Sequence, residues 1–277
     1  MINKKVQPKR YIDAVFIRTV FFWSFRERTG EFHLVASVTG FMKYSFQYYT
    51  MHLNPFVSER PKAILFDMDN TLFDFSDAKI KACSSVAEML ESGTGEELLR
   101  YFLYGNFGFE NHGNIRKYME DYKIWDEDNY KSAIDIYESV KLESIEAYPG
   151  VYETLPIIEA AGIKMSIVTD AESTQAKKRI AKIGLHKYFQ DIITPDLSGK
   201  RKPEPDTFLM ALEKLSALPC NSMVVGDSPR REIEPCNKLG IATVYARYGD
   251  WLKIPTPGAK PDYTIDNFFE LTDILKI

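Results

Sequence analysis

Two aspartates stand one residue apart in the stretch AILFDMDNTLFD, which runs from residue 63 to residue 74. Asp67 and Asp69 follow four apolar residues, and a short apolar run bounded by turn residues is typical of a strand buried on both faces. Side chains alternate along an extended chain, so both carboxylates can point to the same side. Carboxylates this close repel each other unless one is protonated or both share a cation. The pair is therefore a candidate for metal binding and proton transfer.

The elements that would position this pair follow from the pattern beyond residue 148. Strand-like runs occur at 164–169, 191–194, 222–226, 242–245 and 262–265, and helix-like stretches lie between and after them at about 150–161, 172–184, 204–217, 229–239 and 266–275. This alternation predicts right-handed βαβ units and a parallel sheet covered by helices on both faces. The predicted fold is a doubly wound, Rossmann-like α/β domain.

Ligands of such domains lie beyond the carboxyl ends of the strands, near the point where the strand order reverses. Polar residues follow the apolar runs at this edge: Asp67, Asp69, Thr169, Asp170, Thr194, Asp196, Asp227 and Ser228. Mg2+ binds oxygen ligands and typically takes one or two carboxylates, with waters and phosphate oxygens completing its shell. Asp67 and Asp227, on strands predicted to be adjacent, supply such a pair, so Mg2+ is the predicted cofactor.

If Asp69 is not needed as a side-chain ligand, it is free to transfer protons. Attack of Asp67 on phosphorus would form an aspartyl-phosphate and split one difficult hydrolysis into two easier steps. Asp69 would protonate the leaving alkoxide and then activate the water that breaks the intermediate. The negative charges require a cation, and Lys202 is the first candidate because it precedes a proline that would fix its loop. Lys200 and Arg201 compete with it.

Residues 73–148 have a different pattern, with helical periodicity in the stretches 78–92, 96–105, 114–125 and 130–145 and a turn signal at 148–150. A helical insertion directly after a catalytic strand predicts a lid over the site. A helical subdomain that serves only stability is the alternative. We predict a catalytic core at 61–72 and 149–277, with 73–148 as its helical cap.

The sequence DMDNT at residues 67–71 resembles the first motif, DxDxT, of the haloacid dehalogenase-like (HAD) hydrolase superfamily. Thr169 after SIV is similar to the second motif, Lys202-Pro203 to the third, and GDSPRRE at 226–232 to the fourth. All four occur in the family's order over about residues 61–277. The helical insertion stands where members of subfamily I carry their C1 cap, so the resemblance implies that fold and a hydrolase.

The resemblance also implies roles for individual residues. Asp67 would be the nucleophile and a metal ligand, Asp69 the acid/base with its backbone carbonyl on the metal, and Asp227 a further ligand. Thr169 and Lys202 would contact the phosphate. Asp170 stands where an Asn is more usual, and its negative charge favours a backbone contact with the phosphate. Glu232 replaces the more frequent Asp of the fourth motif, which favours a water-mediated contact with the metal.

Composition limits the partners and the location expected for the protein. The net charge of −4 argues against a general nucleic-acid-binding surface. Three cysteines without CxxC spacing suggest neither disulfides nor zinc and leave a reducing cytoplasm as the expected location. No run of about 18 apolar residues is present, so stable membrane insertion is not expected.

The first 60 residues carry nine Lys and Arg against four Asp and Glu, and 13 of the 37 aromatic residues. We interpret them as an extension with no part in the chemistry. The alternative is a basic, aromatic segment that docks on a membrane surface or a partner.

The predicted function is a Mg2+-dependent phosphatase that hydrolyses a small phosphorylated metabolite through an aspartyl-phosphate. The resemblance also includes dehalogenases, but these lack an acid at the position of Asp69. Two alternatives remain open. One is a phosphomutase or phosphotransferase of the same superfamily, which keeps both acids. The other is a non-catalytic regulatory protein that works through its N-terminal segment, a role that has no use for Asp69.

Overall fold

The chain divides into two units, residues 1–54 and 55–277, and the computed structural model describes residues 20–26, 31–37 and 60–277. In the first unit β1 (Val20–Arg26) pairs antiparallel with β2 (Glu31–Ser37). Strand β1 reads VFFWSFR, and aromatic and β-branched residues favour strands. The hairpin was not predicted from the sequence, and residues 1–19, 27–30 and 38–59 of the predicted extension lie outside the described residues.

The second unit contains a six-stranded parallel sheet. Its strands are β3 (Ala63–Phe66), β4 (Lys164–Val168), β5 (Asp191–Ile193), β6 (Ser222–Gly226), β7 (Ala242–Ala246) and β8 (Tyr263–Ile265). Their spatial order is β5-β4-β3-β6-β7-β8, so the chain builds outward from β3 first to one side and then to the other. The order therefore reverses between β3 and β6, where a doubly wound sheet opens its ligand crevice. The predicted fold class is confirmed.

Ten α-helices are present among residues 60–277: α1 (Phe75–Met89), α2 (Gly95–Tyr104), α3 (Gly113–Asp121), α4 (Glu127–Glu143), α5 (Val151–Ala160), α6 (Ser173–Lys182), α7 (Pro195–Ser198), α8 (Pro205–Leu215), α9 (Glu234–Leu239) and α10 (Leu271–Leu275). The stretch predicted as one helix at 229–239 is divided. A π-helical turn, Pro229–Ile233, precedes α9, and the Glu234 N–H donates to the Pro229 carbonyl five residues earlier. Pro235 has no N–H and cannot continue regular α-helical bonding at this point.

Strand β3 is apolar throughout because both faces of the sheet are covered. Ile64 and Phe66 belong to a hydrophobic cluster on one face, whereas Ala63 and Leu65 belong to a second cluster on the other. All four side chains are fully buried. Packing on both faces therefore fixes the strand at the point where Asp67 leaves the sheet.

Helices α1 to α4 lie between β3 and α5 along the chain and bury their own hydrophobic cluster. Its centre includes Phe102 and Tyr137, whose rings stack with centroids 4.8 Å apart. The side chains of Asp74, Thr94 and Asp126 cap the N-termini of α1, α2 and α4. The assignment of residues 73–148 as a cap, and the boundaries of the core, stay predictions.

Candidate active site

Asp67 and Asp227 leave the sheet side by side at the point where the strand order reverses. Asp67 follows β3 and Asp227 follows β6, and these strands pair in parallel with Phe66 beside Val225. The Asp67 N–H donates to the Val225 carbonyl over 2.9 Å, which extends the ladder to the aspartate itself. The sheet therefore brings together two carboxylates that are 160 positions apart in the sequence.

Glu232 joins these two carboxylates. One oxygen each of Asp67, Asp227 and Glu232 lie within 4.8 Å of one another, and all three residues are buried. The Ser228 N–H donates to Glu232 Oε2 over 2.9 Å and holds the side chain over the turn that follows β6. A water-mediated contact between Glu232 and the metal stays a prediction.

The donor set fits a hard divalent cation. Asp227 Oδ1 is buried and accepts no hydrogen bond from the described residues, although Arg231 Nη2 lies 3.7 Å away. Burial and the neighbouring charges of Asp67 and Glu232 raise the pKa of Asp227 well above its ordinary value. Such crowding of carboxylates is relieved by a cation with oxygen ligands, so Asp67 and Asp227, with Glu232 nearby, would hold Mg2+.

Asp67 is held in its ionised form. Burial alone would raise the pKa of this carboxyl, but the positive charges of Lys202 and Arg231 outweigh it, and the pKa lies below its ordinary value. Lys202 Nζ binds Asp67 Oδ1, and the Thr71 hydroxyl lies 3.4 Å from Asp67 Oδ2. An ionised carboxylate at this position can act as a nucleophile.

Lys202 alone among the three candidate cations reaches Asp67. Its Nζ also donates to the Val168 carbonyl over 3.1 Å, and its side chain is fully buried. Arg201 instead is exposed and binds the Asp170 carbonyl and Glu172. Lys200 is exposed as well.

The two carboxylate oxygens of Asp69 differ in their hydrogen bonding. Arg179 Nη1 donates to Asp69 Oδ2 over 2.7 Å, whereas Asp69 Oδ1 is buried without a hydrogen-bond partner among residues 60–277. Burial raises the pKa of Asp69 to about 6; Glu110 and Asp67 add to the rise, and Arg179 opposes it. A carboxyl with this pKa can give up and take back a proton near neutral pH.

Thr169 and Asp170 follow β4 at the same edge. Thr169 Oγ1 accepts from the Ala171 N–H over 3.1 Å, which leaves the hydroxyl hydrogen able to donate to a ligand. The Asp170 carboxylate has protein partners, because Oδ1 accepts from the Lys202 N–H over 2.9 Å and Oδ2 lies 3.6 Å from Arg231 Nη1. The Asp170 carboxylate thus stabilises the loop that carries Lys202. The phosphate-binding roles of Thr169 and Asp170 stay predictions.

The loop after Asp69 is closely packed. Asn70 adopts the left-handed conformation with φ of 63°, and its Oδ1 accepts from the backbone N–H groups of Phe75 and Ser76 at the start of α1. The Tyr248 hydroxyl donates to the Thr71 carbonyl over 2.7 Å. Gly249 lies so close that an added Cβ would be 1.7 Å from the Asn70 carbonyl oxygen. The first motif therefore rests on the segment after β7.

A cavity of about 870 Å³ connects these groups. Asp67, Asp69, Thr169, Asp170, Lys202 and Asp227, which are all the predicted site residues, line it. The lining also includes Phe107, Phe109 and Glu110 from the loop between α2 and α3, and Trp251 after β7. A cavity lined by charged groups together with aromatic side chains can bind a small charged molecule.

Two residues beside Asp69, Arg179 and Glu110, were not predicted from the sequence. Arg179 lies within a basic run of α6, STQAKKRIAK, that is typical of a solvated face. A signal was present, since Ala176 and Ile180 mark the buried face of α6 and position 179 falls between them on that face. Glu110 gave no signal, because it lies in an irregular loop.

Comparisons with known proteins agree with this architecture. The model of the family described as haloacid dehalogenase-like hydrolase matches residues 64–246. The glyceraldehyde 3-phosphate phosphatase of Methanocaldococcus jannaschii is 28% identical over 222 residues, which cover 78% of this chain and 97% of that protein. A proposed pyrophosphatase, PpaX of Clostridium perfringens, is 29% identical with the same coverage.

Among solved structures, a proposed β-phosphoglucomutase from Thermotoga maritima has a TM-score of 0.66 and 25% identity, covering 78% of this chain and 98% of that one. The family match spans well over half of the chain and includes the residues from the first to the fourth motif. The chain belongs to the haloacid dehalogenase-like hydrolases.

Proposed function

We propose that this hydrolase is a Mg2+-dependent phosphatase acting on a small phosphorylated metabolite through an aspartyl-phosphate on Asp67. One observation carries the proposal. The ionised Asp67, held by Lys202, and Asp69, whose pKa is about 6, line the same cavity. A nucleophile and a proton donor facing one ligand are what phosphate-ester cleavage by this route requires.

In the first step an oxygen of the Asp67 carboxylate attacks phosphorus, and the bond between phosphorus and the leaving oxygen breaks. Asp69 gives its proton to that oxygen, which departs as an alcohol. Lys202 and the Thr169 hydroxyl would neutralise and orient the phosphoryl oxygens. Bound Mg2+ would supply additional positive charge against the repulsion between Asp67 and the phosphate.

In the second step Asp69, now a carboxylate, takes a proton from a water molecule as that water attacks phosphorus. The bond between phosphorus and Asp67 breaks, and inorganic phosphate leaves. Both acids return to their starting states, so no further reactant is needed. General acid-base assistance of this type is typically worth about 10²- to 10⁴-fold in rate.

The substrate class is supported by the relatives, since the Methanocaldococcus jannaschii protein is named for a small phosphorylated metabolite, glyceraldehyde 3-phosphate. The predicted cytoplasmic location is consistent with three free cysteines, two of them buried. In the described parts of the chain no helix has the length and apolar character to cross a bilayer.

Hydrolysis of p-nitrophenyl phosphate with Mg2+ and with EDTA tests the activity. We expect turnover with Mg2+ and loss of turnover in Asp67→Asn, whereas Asp135→Asn, at an exposed position of α4, should match the wild type. Borohydride reduction during turnover should convert Asp67 to homoserine, which peptide mass spectrometry detects. An inactive wild type, or undiminished activity in Asp67→Asn, would contradict the proposal.

A phosphomutase is the second candidate, favoured by the similarity to the proposed β-phosphoglucomutase. The two functions differ in what breaks the intermediate, because a mutase transfers the phosphoryl group to a sugar hydroxyl instead of to water. Product analysis with hexose phosphates separates them. Release of inorganic phosphate supports the phosphatase, and an isomeric sugar phosphate supports the mutase.

A further inference from the structure

Arg179 joins three separate parts of the chain although its side chain is 1% exposed. From α6 it donates to Asp69, which follows β3, and to Glu110, in the loop between α2 and α3. Nη1 lies 2.7 Å from Asp69 Oδ2, and both terminal nitrogens bind the Glu110 carboxylate. The guanidinium also lies over the Phe75 ring, with Cζ 4.0 Å from the ring centroid. The planar guanidinium group is thus held by hydrogen bonds along two edges and by the Phe75 ring on one face. It has little freedom to reorient.

Arg179 holds one of the two carboxylate oxygens of Asp69. With Oδ2 held, rotation of the carboxyl group is restricted, and Oδ1 is the oxygen left without a partner among the described residues. Asp69 lines the cavity, while Arg179 is not one of its lining residues. Arg179 can therefore act on a ligand only through Asp69 and Glu110.

Glu110 is itself held in place. Lys79 Nζ donates to the carbonyl of the preceding residue, Phe109, and the Asn114 amide donates to the carbonyls of Gly108 and Asn111 over 2.8 and 2.9 Å. These bonds fix the backbone on both sides of Glu110. Glu110 and Arg179 thus connect the loop between α2 and α3 to Asp69 through direct hydrogen bonds.

We propose that Arg179 is a positioning residue that holds the Asp69 carboxyl group in the orientation needed to protonate the leaving oxygen, and that Glu110 makes this orientation depend on the loop between α2 and α3. The inference rests on the proposed phosphatase function. If Arg179 only stabilised the fold through its ion pairs, a different result is expected on substitution. The substitution would affect all substrates alike, because it would act through the amount of folded enzyme.

A proton donor matters only when the leaving oxygen is strongly basic. Benzyl phosphate and p-nitrophenyl phosphate have similar shapes, but the benzyl alkoxide needs a proton to leave, whereas nitrophenolate is stable without one. A variant in which Asp69 is wrongly oriented should therefore lose more activity on benzyl phosphate than on p-nitrophenyl phosphate. The kcat/KM values report only the steps up to departure of the leaving oxygen, so they leave out the later attack of water, in which Asp69 serves both esters alike. The ratio of the kcat/KM values for the two esters therefore measures the orientation of Asp69 as a proton donor, independently of enzyme concentration.

The experiment compares the wild type with Arg179→Lys, Arg179→Met and Glu110→Gln in full-length protein, with Lys178→Met as the exposed control on the same helix. We expect Arg179→Met to lower kcat/KM for benzyl phosphate by about 100-fold and kcat/KM for p-nitrophenyl phosphate by less than about fivefold, within the range of general acid catalysis. Arg179→Lys should recover part of the loss. Glu110→Gln should shift the ratio in the same direction by a smaller factor, and Lys178→Met should leave both rates unchanged.

Equal losses on both esters, or an unchanged ratio in Arg179→Lys and Glu110→Gln, would overturn the inference. If Arg179→Met does not fold, as thermal unfolding would show, the two conservative variants still decide the question. Failure of the proposed function is a separate result, since the wild type would then hydrolyse neither ester or Asp67→Asn would retain activity.

Discussion

Lys202 and Glu232 face each other inside the site, with 2.7 Å between Lys202 Nζ and Glu232 Oε1. The same ammonium binds Asp67, so one buried cation is shared by two buried carboxylates. Burial would lower the pKa of Lys202, but the charges of Asp67 and Glu232 raise it above its ordinary value. Lys202 therefore stays charged, and the site keeps a fixed positive charge beside the nucleophile.

We expect Lys202→Met to lose both activity and stability. Removing one partner of a buried ion pair leaves an uncompensated charge, which typically costs about 3–5 kcal/mol in the free energy of unfolding. Urea unfolding and p-nitrophenyl phosphate hydrolysis measure the two effects. Lys200→Met is the control, because Lys200 is exposed. Wild-type stability in Lys202→Met would show that the two carboxylates do not depend on this cation.

Mg2+ should stabilise the folded protein, and Asp227→Asn should abolish the effect. A ligand that binds only the folded state adds about 2.7 kcal/mol when its concentration is 100 times Kd. In EDTA we expect Asp227→Asn to have a higher Tm than the wild type, because a carboxyl group with a raised pKa destabilises the folded state at neutral pH. Calorimetry with and without Mg2+ gives both values.

Asp135→Asn, outside the carboxylate cluster, should respond to Mg2+ like the wild type. A Mg2+-dependent rise in the Tm of Asp227→Asn equal to that of the wild type would argue that the cation binds elsewhere.

Gly249→Ala should disturb the first motif from a distance in sequence. The new Cβ would lie 1.7 Å from the Asn70 carbonyl oxygen, which is backbone and cannot rotate away. We expect a loss of about 1–3 kcal/mol in the free energy of unfolding, typical of overpacking, together with a lower kcat. Gly258→Ala is a matched control, because its Cβ would meet only the end of the Glu234 side chain. A kcat equal to that of the wild type would mean that the loop after Asp69 tolerates displacement.

Lys79 should make stability depend on pH. Its side chain is buried beside the Phe102 and Phe109 rings, and burial lowers its pKa to about 7, although Glu110 and Cys83 oppose the shift. Between about pH 7 and the ordinary value of 10.5, the unfolded chain holds a proton that the folded chain lacks. The free energy of unfolding should therefore rise with pH in this window, by up to about 1.4 kcal/mol per pH unit from this group.

Urea unfolding of the wild type and Lys79→Met at several pH values above 7 isolates this contribution. The difference between wild type and variant should grow in favour of the wild type as pH rises. A difference that stays constant with pH would show that Lys79 titrates alike in the folded and unfolded states.

Local sequence patterns were sufficient to predict the parallel sheet. All six strands of the parallel sheet were predicted close to their observed bounds, because strands covered on both faces are continuously apolar and end at turn residues. The alternation of strands and helices led to the doubly wound topology, and topology placed Asp67 beside Asp227. The irregular start of the helix after β6 was missed, because its two prolines act through specific backbone bonds.

The sequence by itself determined the sheet, the edge where the polar residues gather, and the identity of Asp67, Asp69 and Asp227 as neighbours there. Only the tertiary structure decided that Lys202 rather than Lys200 or Arg201 reaches Asp67, and that Arg179, itself bound to Glu110, holds Asp69. The physical reason is that strand periodicity is a local property that repeats along the chain. The reach of a buried side chain from a loop or helix depends instead on the packing of segments that are distant in sequence, and no local pattern encodes that contact.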